Sequence, residues 1–308
     1  MSALRGTTDL SGILLVDKPA GVTSHDVVNR VRRACGERRV GHAGTLDPMA
    51  TGVLVVLVGP ATRLAPYLTA AEKSYSARIL FGAQTDTDDA DGRVILTAPV
   101  PDEIGDPFFA SGMVASLVGT HDQVPPAYCA IKRGGKVAYE VARKGESLEL
   151  PARTVEVLVA RLTGVELEPP AWDVELVVSK GTYIRALARD LGQALDTAAY
   201  LGTLCRTRSG ALNLEQTASL EDIEAAVDVA ALFVDPLAAL DLPVASVSEA
   251  GASAVACGNQ LGALELADAP DGPLSVARDG VLLAVYERKG ATARALAVIP
   301  GGVSGGAR

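Results

Sequence analysis

Residues 41–52 (GHAGTLDPMATG) are followed at once by six consecutive apolar residues, 53–58. A short apolar run that is rich in β-branched residues and bounded by glycine predicts a strand buried on both faces. The segment before it contains a single acid, Asp47, among glycines and small residues. A carboxylate at the edge of a buried strand is costly unless it is paired or takes part in chemistry. We therefore interpret this loop as a candidate catalytic centre.

An Asp-Pro pair also commonly opens a turn, so Asp47-Pro48 has a purely structural alternative. The long run of glycine and small residues on both sides of the pair favours the catalytic interpretation. Turn chemistry needs no such extended context, whereas small residues allow a ligand or a second backbone to approach closely.

The length of 308 residues predicts one large domain and a smaller one. A Pro- and Ala-rich stretch at 235–243 follows a change in charge near residue 209 and predicts a boundary near 240. We expect a catalytic domain over 1–240, a small β-rich domain over 241–300 and a flexible glycine-rich tail over 301–308.

The four cysteines, Cys35, Cys129, Cys205 and Cys257, lie far apart and form neither a CxxC pair nor a zinc-binding spacing. This pattern favours a reduced, cytoplasmic chain without a structural metal. The longest apolar run, 53–58, is far shorter than the roughly 20 residues of a membrane span, and no signal peptide is visible. We expect no membrane association.

The net charge of −9 argues against a nucleic-acid partner only if the charge is evenly spread. Residues 209–277 contain 11 acids and no Lys or Arg, so the rest of the chain carries +2. Basic residues outside 209–277 form three groups. The first group is Arg30, Arg32, Arg33, Arg38 and Arg39, the second group is Lys132, Arg133, Lys136, Arg143 and Lys144, and the third group is Lys180, Arg185, Arg189, Arg206 and Arg208. Any one group could be a solvated face, but three of them around the candidate loop favour phosphate binding.

Periodicity predicts a mixture of strands and helices without strict βαβ alternation. Thr23 and Asp26 have the spacing of a helix N-cap and an acidic N3 residue. Strands are predicted over 12–16, 53–58, 75–81, 154–162 and 172–178, and helices over 61–68, 108–117 and 183–195. This order indicates an α+β fold with a mixed, largely antiparallel sheet flanked by helices.

Tyr183 and Arg185 lie where a predicted strand leads into a predicted helix. An arginine at a helix start can reach a carboxylate on a neighbouring element. Pairing with Arg185 would keep Asp47 ionised in a dry pocket. The alternative is an exposed arginine beside a core tyrosine.

Tyr75 could stack on a base, although an ordinary strand aromatic is the alternative. His42 could stack on a base or act as a wedge, although a lone histidine is more often structural. Aromatic residues make up only 4% of the chain, which argues against broad stacking on single strands. The sequence contains no Walker loop, no GxGxxG turn after a strand and no Ser/His/Asp set.

Taken together, five segments resemble the TruB family of tRNA pseudouridine synthases, in the order in which that family has them. The segments are 41–52 (GHAGTLDPMATG), 73–75 (KSY), 125–132 (PPAYCAIK), 181–185 (GTYIR) and 204–210 (LCRTRSG). They cover about the first three quarters of the chain. Two residues depart from the family pattern: Cys129 stands where the family usually has Ser, and Cys205 where it usually has Arg.

The resemblance implies the pseudouridine-synthase fold with a PUA-like C-terminal domain. It implies conversion of uridine 55 in the T loop of tRNA to pseudouridine, with no cofactor and no metal. Asp47 would be the essential carboxylate, Arg185 would orient it and Tyr75 would stack under the target base. The substrate contacts implied are His42, Gly44, Thr45, Tyr183, Leu204 and Lys132. The partner implied is the tRNA T arm, bound by a monomer without an obligatory protein partner.

Two alternatives remain open at this point. The catalytic subunit of a guide-RNA-directed pseudouridylation complex has a closely related aspartate motif, but this chain lacks long Lys-rich tails. The second alternative is a non-catalytic protein that binds or folds tRNA, in which Asp47 would be dispensable.

Overall fold

A computed structural model describes residues 8–146, 148–262 and 269–306 of the chain. The chain divides into two compact units. The first unit contains residues 1–71 and 208–308, and the second contains residues 72–207.

The strands are β1 (Gly12–Lys18), β2 (Val40–Ala43), β3 (Thr51–Val58), β4 (Lys73–Phe81), β5 (Ala83–Thr85), β6 (Val94–Thr97), β7 (Gly119–Gln123), β8 (Lys132–Arg133), β9 (Lys136–Val137), β10 (Arg153–Leu167), β11 (Pro170–Val178), β12 (Ala199–Ser209), β13 (Leu212–Asn213), β14 (Val244–Ser246), β15 (Gly272–Arg278), β16 (Val281–Lys289) and β17 (Thr292–Val303). The α-helices are α1 (Ser24–Ala34), α2 (Ala65–Ala70), α3 (Pro107–Ala115), α4 (Ala138–Ala142), α5 (Ile184–Ala194), α6 (Leu220–Ala225), α7 (Pro236–Leu240) and α8 (Glu249–Ala256). Short 3-10 helices occupy Gly59–Leu64, Asp102–Gly105, Leu214–Gln216 and Val229–Leu232.

Strand β3 is the centre of the first unit, and β1 and β2 each pair with it in antiparallel register. All six residues of the apolar run 53–58 are fully buried, which confirms the predicted strand. One face of β3 carries Val53, Val55 and Leu57 and packs into a core with Ile13 and Leu15 of β1. Burial on both faces explains why the run shows no polar alternation.

Helix α1 contacts β2 and β3 and begins with the predicted cap. The Thr23 hydroxyl accepts a hydrogen bond from the backbone N–H of Asp26, and the Asp26 carboxylate accepts one from the backbone N–H of Thr23. The capping box fixes the start of α1, and Val27, Val28 and Val31 bury its apolar face.

The C-terminal residues of the first unit form a four-stranded sheet in the order β14-β15-β16-β17. The pair β14–β15 is parallel, whereas β15–β16 and β16–β17 are antiparallel. This sheet confirms the predicted β-rich character of the C-terminal residues, and the domain boundary near residue 240 stays a prediction. Leu282, Ile299 and Val303 of the sheet lie in the same core cluster as Ile13 and Leu57. The sheet therefore buries side chains with the strands that flank the Asp47 loop.

The prediction of a flexible tail over 301–308 is wrong for residues 301–306. Strand β17 continues to Val303, which is buried, and Gly306 N–H donates to Phe233 O at 2.8 Å. Gly306 serves close packing instead, because a Cβ on it would lie within 3 Å of backbone atoms of Ala230 and Ala231. Residues 307–308 lie outside the described residues.

In the second unit the strand order is β12-β4-β11-β10-β7, and the pairs β4–β11, β11–β10 and β10–β7 are antiparallel. Strand β4 has the predicted alternation: Ala77, Ile79 and Phe81 are buried, with Tyr75 half-buried on the same face. Phe81 meets the buried Trp172 of β11 edge-to-face, with ring centroids 4.8 Å apart. The predicted α+β class with largely antiparallel sheets is confirmed.

Among the described residues, none of the helices combines the length and apolar character needed to cross a membrane.

Candidate active site

Two glycines set the ends of the loop that carries Asp47. The loop joins β2 to β3, and Gly44 and Gly52 both have φ of +96°. An L-residue with a side chain rarely adopts that conformation, so glycine is needed at both positions. The Asp47 side chain is half-buried, and the residues on either side of it differ, since Leu46 is buried and Pro48 is exposed.

The backbone on both sides of Asp47 is pinned by other elements of the first unit. The Ser24 hydroxyl at the start of α1 donates to Leu46 O and accepts from Leu46 N, both at 2.9 Å. Lys18, at the end of β1, is 0% exposed, and its Nζ donates to Pro48 O at 3.2 Å. Because the peptides before and after Asp47 are held by buried groups, the position of this residue is fixed.

Sequence reasoning missed Lys18 and Ser24 as contributors to the site. Lys18 follows the buried run 12–16 after one exposed residue, Asp17, and a charged residue there is a weak signal. Its partner Pro48 lies 30 residues further along the chain. Ser24 is next to the N-cap and is locally indistinguishable from a second capping residue.

The other predicted residues of this loop lie at different depths. His42 is half-buried in β2 opposite Val56, Gly44 is half-buried and Thr45 is exposed. Gly44 and Thr45 lie in the loop that presents Asp47, and His42 lies in the strand that leads into it. This placement is compatible with substrate contact at all three positions, which stays a prediction.

Helix α5 of the second unit presents Arg185 in its first turn, at 3% exposure. Tyr183 is the N-cap residue, which agrees with the prediction that both residues lie where a strand leads into a helix. Nη1 of Arg185 donates to Thr87 O at 2.9 Å and lies 3.5 Å from Oδ2 of Asp89, and Nη2 donates to Tyr128 O at 3.0 Å. Asp47 belongs to the first unit, and its pairing with Arg185 stays a prediction.

Asp89 and its neighbour Asp88 lie in the segment 85–92 (TDTDDADG), whose composition is typical of a polar turn. Both carboxylates are buried, and each faces an arginine of α5: Asp89 faces Arg185 and Asp88 faces Arg189. A buried charge needs such a partner. No local signal distinguishes these two acids from the solvated acids common in turns.

Tyr183 is held at its backbone and shielded at its ring. Its N–H donates to Gln123 Oε1 at 2.8 Å, and Gln123 Nε2 donates to Tyr183 O at 3.1 Å. Its ring packs against the cluster of Cys129, Ala138 and Leu150. Burial, followed by the neighbouring Cys129 thiol, raises the pKa of Tyr183 to about 12. The hydroxyl is therefore neutral at physiological pH.

Strand β4 begins with Lys73 and carries Tyr75 two residues later. Lys73 is buried, and burial, followed by the charges of Arg206 and Lys180, lowers its pKa to about 8. Tyr75 is half-buried and pairs in register with Leu176 of β11. Leu204 is buried in the adjacent strand β12. The second unit thus places an aromatic ring and an apolar side chain on neighbouring strands.

The second basic group is exposed throughout. Lys132 and Arg133 of β8, Lys136 of β9, and Arg143 and Lys144 after α4 all face solvent. Gly134 and Gly135, both with positive φ, form the tight turn between β8 and β9. Exposed cations on a short hairpin and helix suit contact with phosphates.

The third basic group differs, because three of its arginines lie inside the second unit. Arg206 is 1% exposed and Arg185 is also buried, while Arg189 is half-buried and paired with Asp88 and Asp190. The expectation that this whole group binds phosphates is therefore wrong for these three residues. Lys180 is exposed and remains compatible with it.

The first basic group is divided between structure and surface. Arg30 forms ion pairs with Glu224 at 2.7 Å and Glu221 at 3.2 Å, both on α6. Arg32 donates to the carbonyl oxygens of Arg38 and Val40. Arg33, Arg38 and Arg39 are exposed.

Three arginines of the C-terminal sheet lie close to carboxylates of the same chain. Arg278 lies 3.3 Å from Asp279, Arg294 lies 2.8 Å from Glu287, and Arg288 lies 3.9 Å from Asp271. Intramolecular pairs on the surface compete with phosphate contacts. In the part of the chain that the structure describes, no group of three or more His, Cys, Asp or Glu is placed to hold a metal ion.

Comparison with known proteins agrees with these features. The family described as "TruB family pseudouridylate synthase (N terminal domain)" matches residues 32–184. The chain is 44% identical over 297 residues to tRNA pseudouridine synthase B of Thermobifida fusca, a match that covers 94% of this chain and 99% of that protein. It is 43% identical over 294 residues to tRNA pseudouridine synthase B of Mycobacterium tuberculosis, covering 94% and 95%.

Among solved structures, the fold resembles that in a crystal structure of a Cbf5-Nop10-Gar1 complex. The TM-score is 0.71 at 24% identity, and the match covers 94% of this chain and 84% of the other. At that identity the likeness concerns the fold alone. The match to the family and the identity to the two relatives over nearly their whole length show that the chain belongs to the TruB family of pseudouridine synthases.

Proposed function

We propose that this chain converts uridine 55 in the T loop of tRNA to pseudouridine, with Asp47 as the essential carboxylate. The identity of 43–44% to relatives named tRNA pseudouridine synthase B carries the proposal. The fixed loop around Asp47 supports it, because a catalytic group must be held in place before the substrate arrives.

The reaction breaks the bond between N1 of uracil and C1′ of ribose, turns the base and forms a bond between C5 and C1′. A proton leaves C5 and one is gained at N1, so the reaction is an isomerisation that consumes no oxidant, nucleotide or metal. Asp47 would attack the ribose, attack the base ring or remove a ribose proton.

The remaining roles follow from the surroundings of each residue. We assign Tyr75 to stacking under the target base, and Tyr183 and Leu204 to the wall of the pocket. The neutral hydroxyl of Tyr183 suits an apolar wall better than a charged group would. His42 would fill the space left by a base turned out of the loop, and turning out a nucleotide costs a few kcal/mol.

We assign Arg185 the task of holding Asp47 ionised and oriented. A guanidinium has five donors in a fixed fork, so it can serve a carboxylate and backbone carbonyls at once. The hydrogen bonds from Arg185 to Thr87 O and Tyr128 O lock the orientation of its side chain. A locked guanidinium is a better positioning group than a mobile lysine.

Exposed basic residues of the protein would bind the phosphates of the T arm. These residues are Lys132 and the rest of the second basic group, with Arg33, Arg38 and Arg39 of the first. Gly44 and Thr45 would let the RNA backbone approach the Asp47 loop closely. We further propose that the protein works in the cytoplasm, as a monomer and without an obligatory protein partner.

The test is to incubate the protein alone with an unmodified tRNA transcript and to map pseudouridine at nucleotide resolution. We expect a single site at uridine 55. The variant Asp47→Ala should bind the same tRNA but form no pseudouridine.

A second Asp-Pro pair in the same unit supplies a matched control. Asp235 precedes Pro236, is exposed and caps α7 by accepting from Leu237 N–H at 2.9 Å. The variant Asp235→Ala should keep full activity. Modification by Asp47→Ala would exclude a catalytic role for that acid, and modification that needs an added guide RNA would favour the guide-directed alternative.

A further inference from the structure

Helix α5 carries two arginines, Arg185 and Arg189, spaced four residues apart and therefore on the same face. Each one bonds to two kinds of partner. Nη1 of Arg189 lies 3.0 Å from Oδ2 of Asp88, and Nη2 donates to Val124 O at 2.9 Å. Nη1 of Arg185 lies 3.5 Å from Oδ2 of Asp89, and Nη2 donates to Tyr128 O.

We propose that Arg189 is a positioning residue for pseudouridine formation, which with Asp88 fixes the turn and the loop segment that hold Arg185. This inference rests on the proposed function, since it assigns Arg189 a task in the same reaction. Arg189 would touch neither the RNA nor Asp47.

The turn is the first route by which Arg189 reaches Arg185. Asp88 has φ of +59°, a left-handed conformation that Asp adopts more readily than most residues with side chains, and two hydrogen bonds hold it there. Gln84 Nε2 donates to Asp88 Oδ1 at 3.1 Å, and Leu201 N–H donates to Asp88 O at 3.1 Å. A displaced Asp88 would carry with it the Thr87 carbonyl and the Asp89 carboxylate that face Arg185.

The loop segment from Val124 to Tyr128 is the second route. It contains Pro125 and Pro126, so its backbone has few alternative conformations. Arg189 holds the carbonyl at one end of the segment, and Arg185 holds the carbonyl at the other end. Movement of the Val124 end would therefore be transmitted to the Tyr128 carbonyl.

The electrostatics make Arg189 hard to replace. Burial raises the pKa of the Asp88 carboxyl, and the charge of Arg189 is the largest influence that opposes this rise. Without Arg189 the carboxylate would stay buried beside a more distant cation, and the turn would rearrange to solvate it.

The experiment compares Arg189→Gln, Asp88→Asn and the double variant with wild type. The quantities are the single-turnover rate constant at saturating tRNA, the Kd for tRNA and the thermal midpoint. Arg189→Gln should lower the rate constant roughly tenfold to hundredfold, since a misplacement of about 1 Å costs on the order of a hundredfold. The Kd should stay unchanged.

The double variant separates positioning from simple loss of folding. It removes the stranded carboxylate, and two neutral amide side chains at these positions can keep a hydrogen bond, so we expect it to lose no more rate than Arg189→Gln alone. The control is Arg161→Gln, which breaks the exposed pair with Glu175 in the same unit and should leave the rate constant unchanged.

Several results would overturn the inference while leaving the proposed function intact. One is an unchanged rate constant in Arg189→Gln, and another is a lower thermal midpoint with normal rate. A weaker Kd at normal rate would make Arg189 an RNA contact. Multiplicative losses in the double variant would show that the two residues act independently. Absence of pseudouridine with the wild-type protein would instead refute the proposed function.

Discussion

The second and third basic groups have similar composition in the sequence but different environments in the fold. Lys132, Arg133 and Lys136 face solvent on a short hairpin. Arg185 and Arg206 are buried, and Arg185 bonds to carbonyl oxygens and faces Asp89. A cluster of basic residues in a sequence therefore does not by itself indicate an RNA-binding surface. A guanidinium that finds hydrogen-bond acceptors within the protein can instead hold segments of the chain together.

Among the basic residues, the largest expected effect is that of removing the buried Arg185. Arg185→Gln leaves Asp89 without the guanidinium that faces it. Breaking a buried pair in this way lowers the free energy of unfolding by about 3–5 kcal/mol. We expect the single-turnover rate constant to fall at least about a hundredfold. Binding of tRNA, measured by filter binding, should change little.

The variant Arg185→Lys sharpens this prediction, since it keeps the charge and loses the fork. An ammonium cannot reproduce the geometry that joins Thr87 O and Tyr128 O, so we expect a slow enzyme here too. A lysine variant as fast as wild type would show that charge alone matters at this position.

The opposite pattern is expected for the exposed group. The triple variant Lys132→Gln, Lys136→Gln, Lys144→Gln should bind tRNA more weakly and with a smaller salt dependence. Each phosphate contact contributes about 0.7–0.9 to the slope of log K against log salt. The rate constant at saturating tRNA should match that of wild type. An unchanged salt slope would remove these lysines from the interface.

How far the sequence predicts the site depends on whether the signal is local. Val53–Val58 and the Thr23/Asp26 capping box were predictable, because apolar runs and cap spacing are set by neighbouring residues. The same holds for the position of Tyr183 and Arg185 at the start of α5. Family resemblance supplied the catalytic assignment of Asp47, which burial arguments alone had left open.

The missed features depend on partners that are distant in the chain. Asp88 and Arg189 are 101 residues apart, and nothing near either one reveals the pair. The burial of Lys18 likewise depends on a carbonyl of the Asp47 loop. The glycines at 301–302 led to the prediction of a flexible tail. Composition does not reveal that β17 continues past them and pairs with β16.

A smaller effect is expected from the buried lysine beside Arg206. The pKa of Lys73 is about 8 in the folded chain and about 10.5 ordinarily, so between these pH values the unfolded chain holds a proton that the folded chain has released. Stability therefore rises with pH across this window. Each unit of pKa difference corresponds to about 1.4 kcal/mol.

The variant Lys73→Met lacks this contribution. The unfolding free energies of wild type and variant are measured in urea at pH 7, 8.5 and 10. As the pH rises, the unfolding free energy of the wild type should increase relative to that of the variant. A difference that is independent of pH would show that Lys73 keeps its ordinary pKa in the folded protein.

The smallest expected effect concerns a basic residue that is neither buried nor available to RNA. Arg30 belongs to the first basic group but pairs with Glu221 and Glu224 of α6, and both glutamates are exposed. Exposed pairs contribute about 0.2–1 kcal/mol, so Arg30→Ala should lower the unfolding free energy by no more than about 1 kcal/mol. Because its guanidinium is already occupied, we expect the Kd for tRNA and its salt dependence to stay at wild-type values, whereas Arg38→Ala, at an exposed position nearby, should weaken binding. Equal losses of affinity in the two variants would show that tRNA competes successfully with the glutamates for Arg30. An ion pair within the chain would then not exclude a basic residue from the RNA-binding surface.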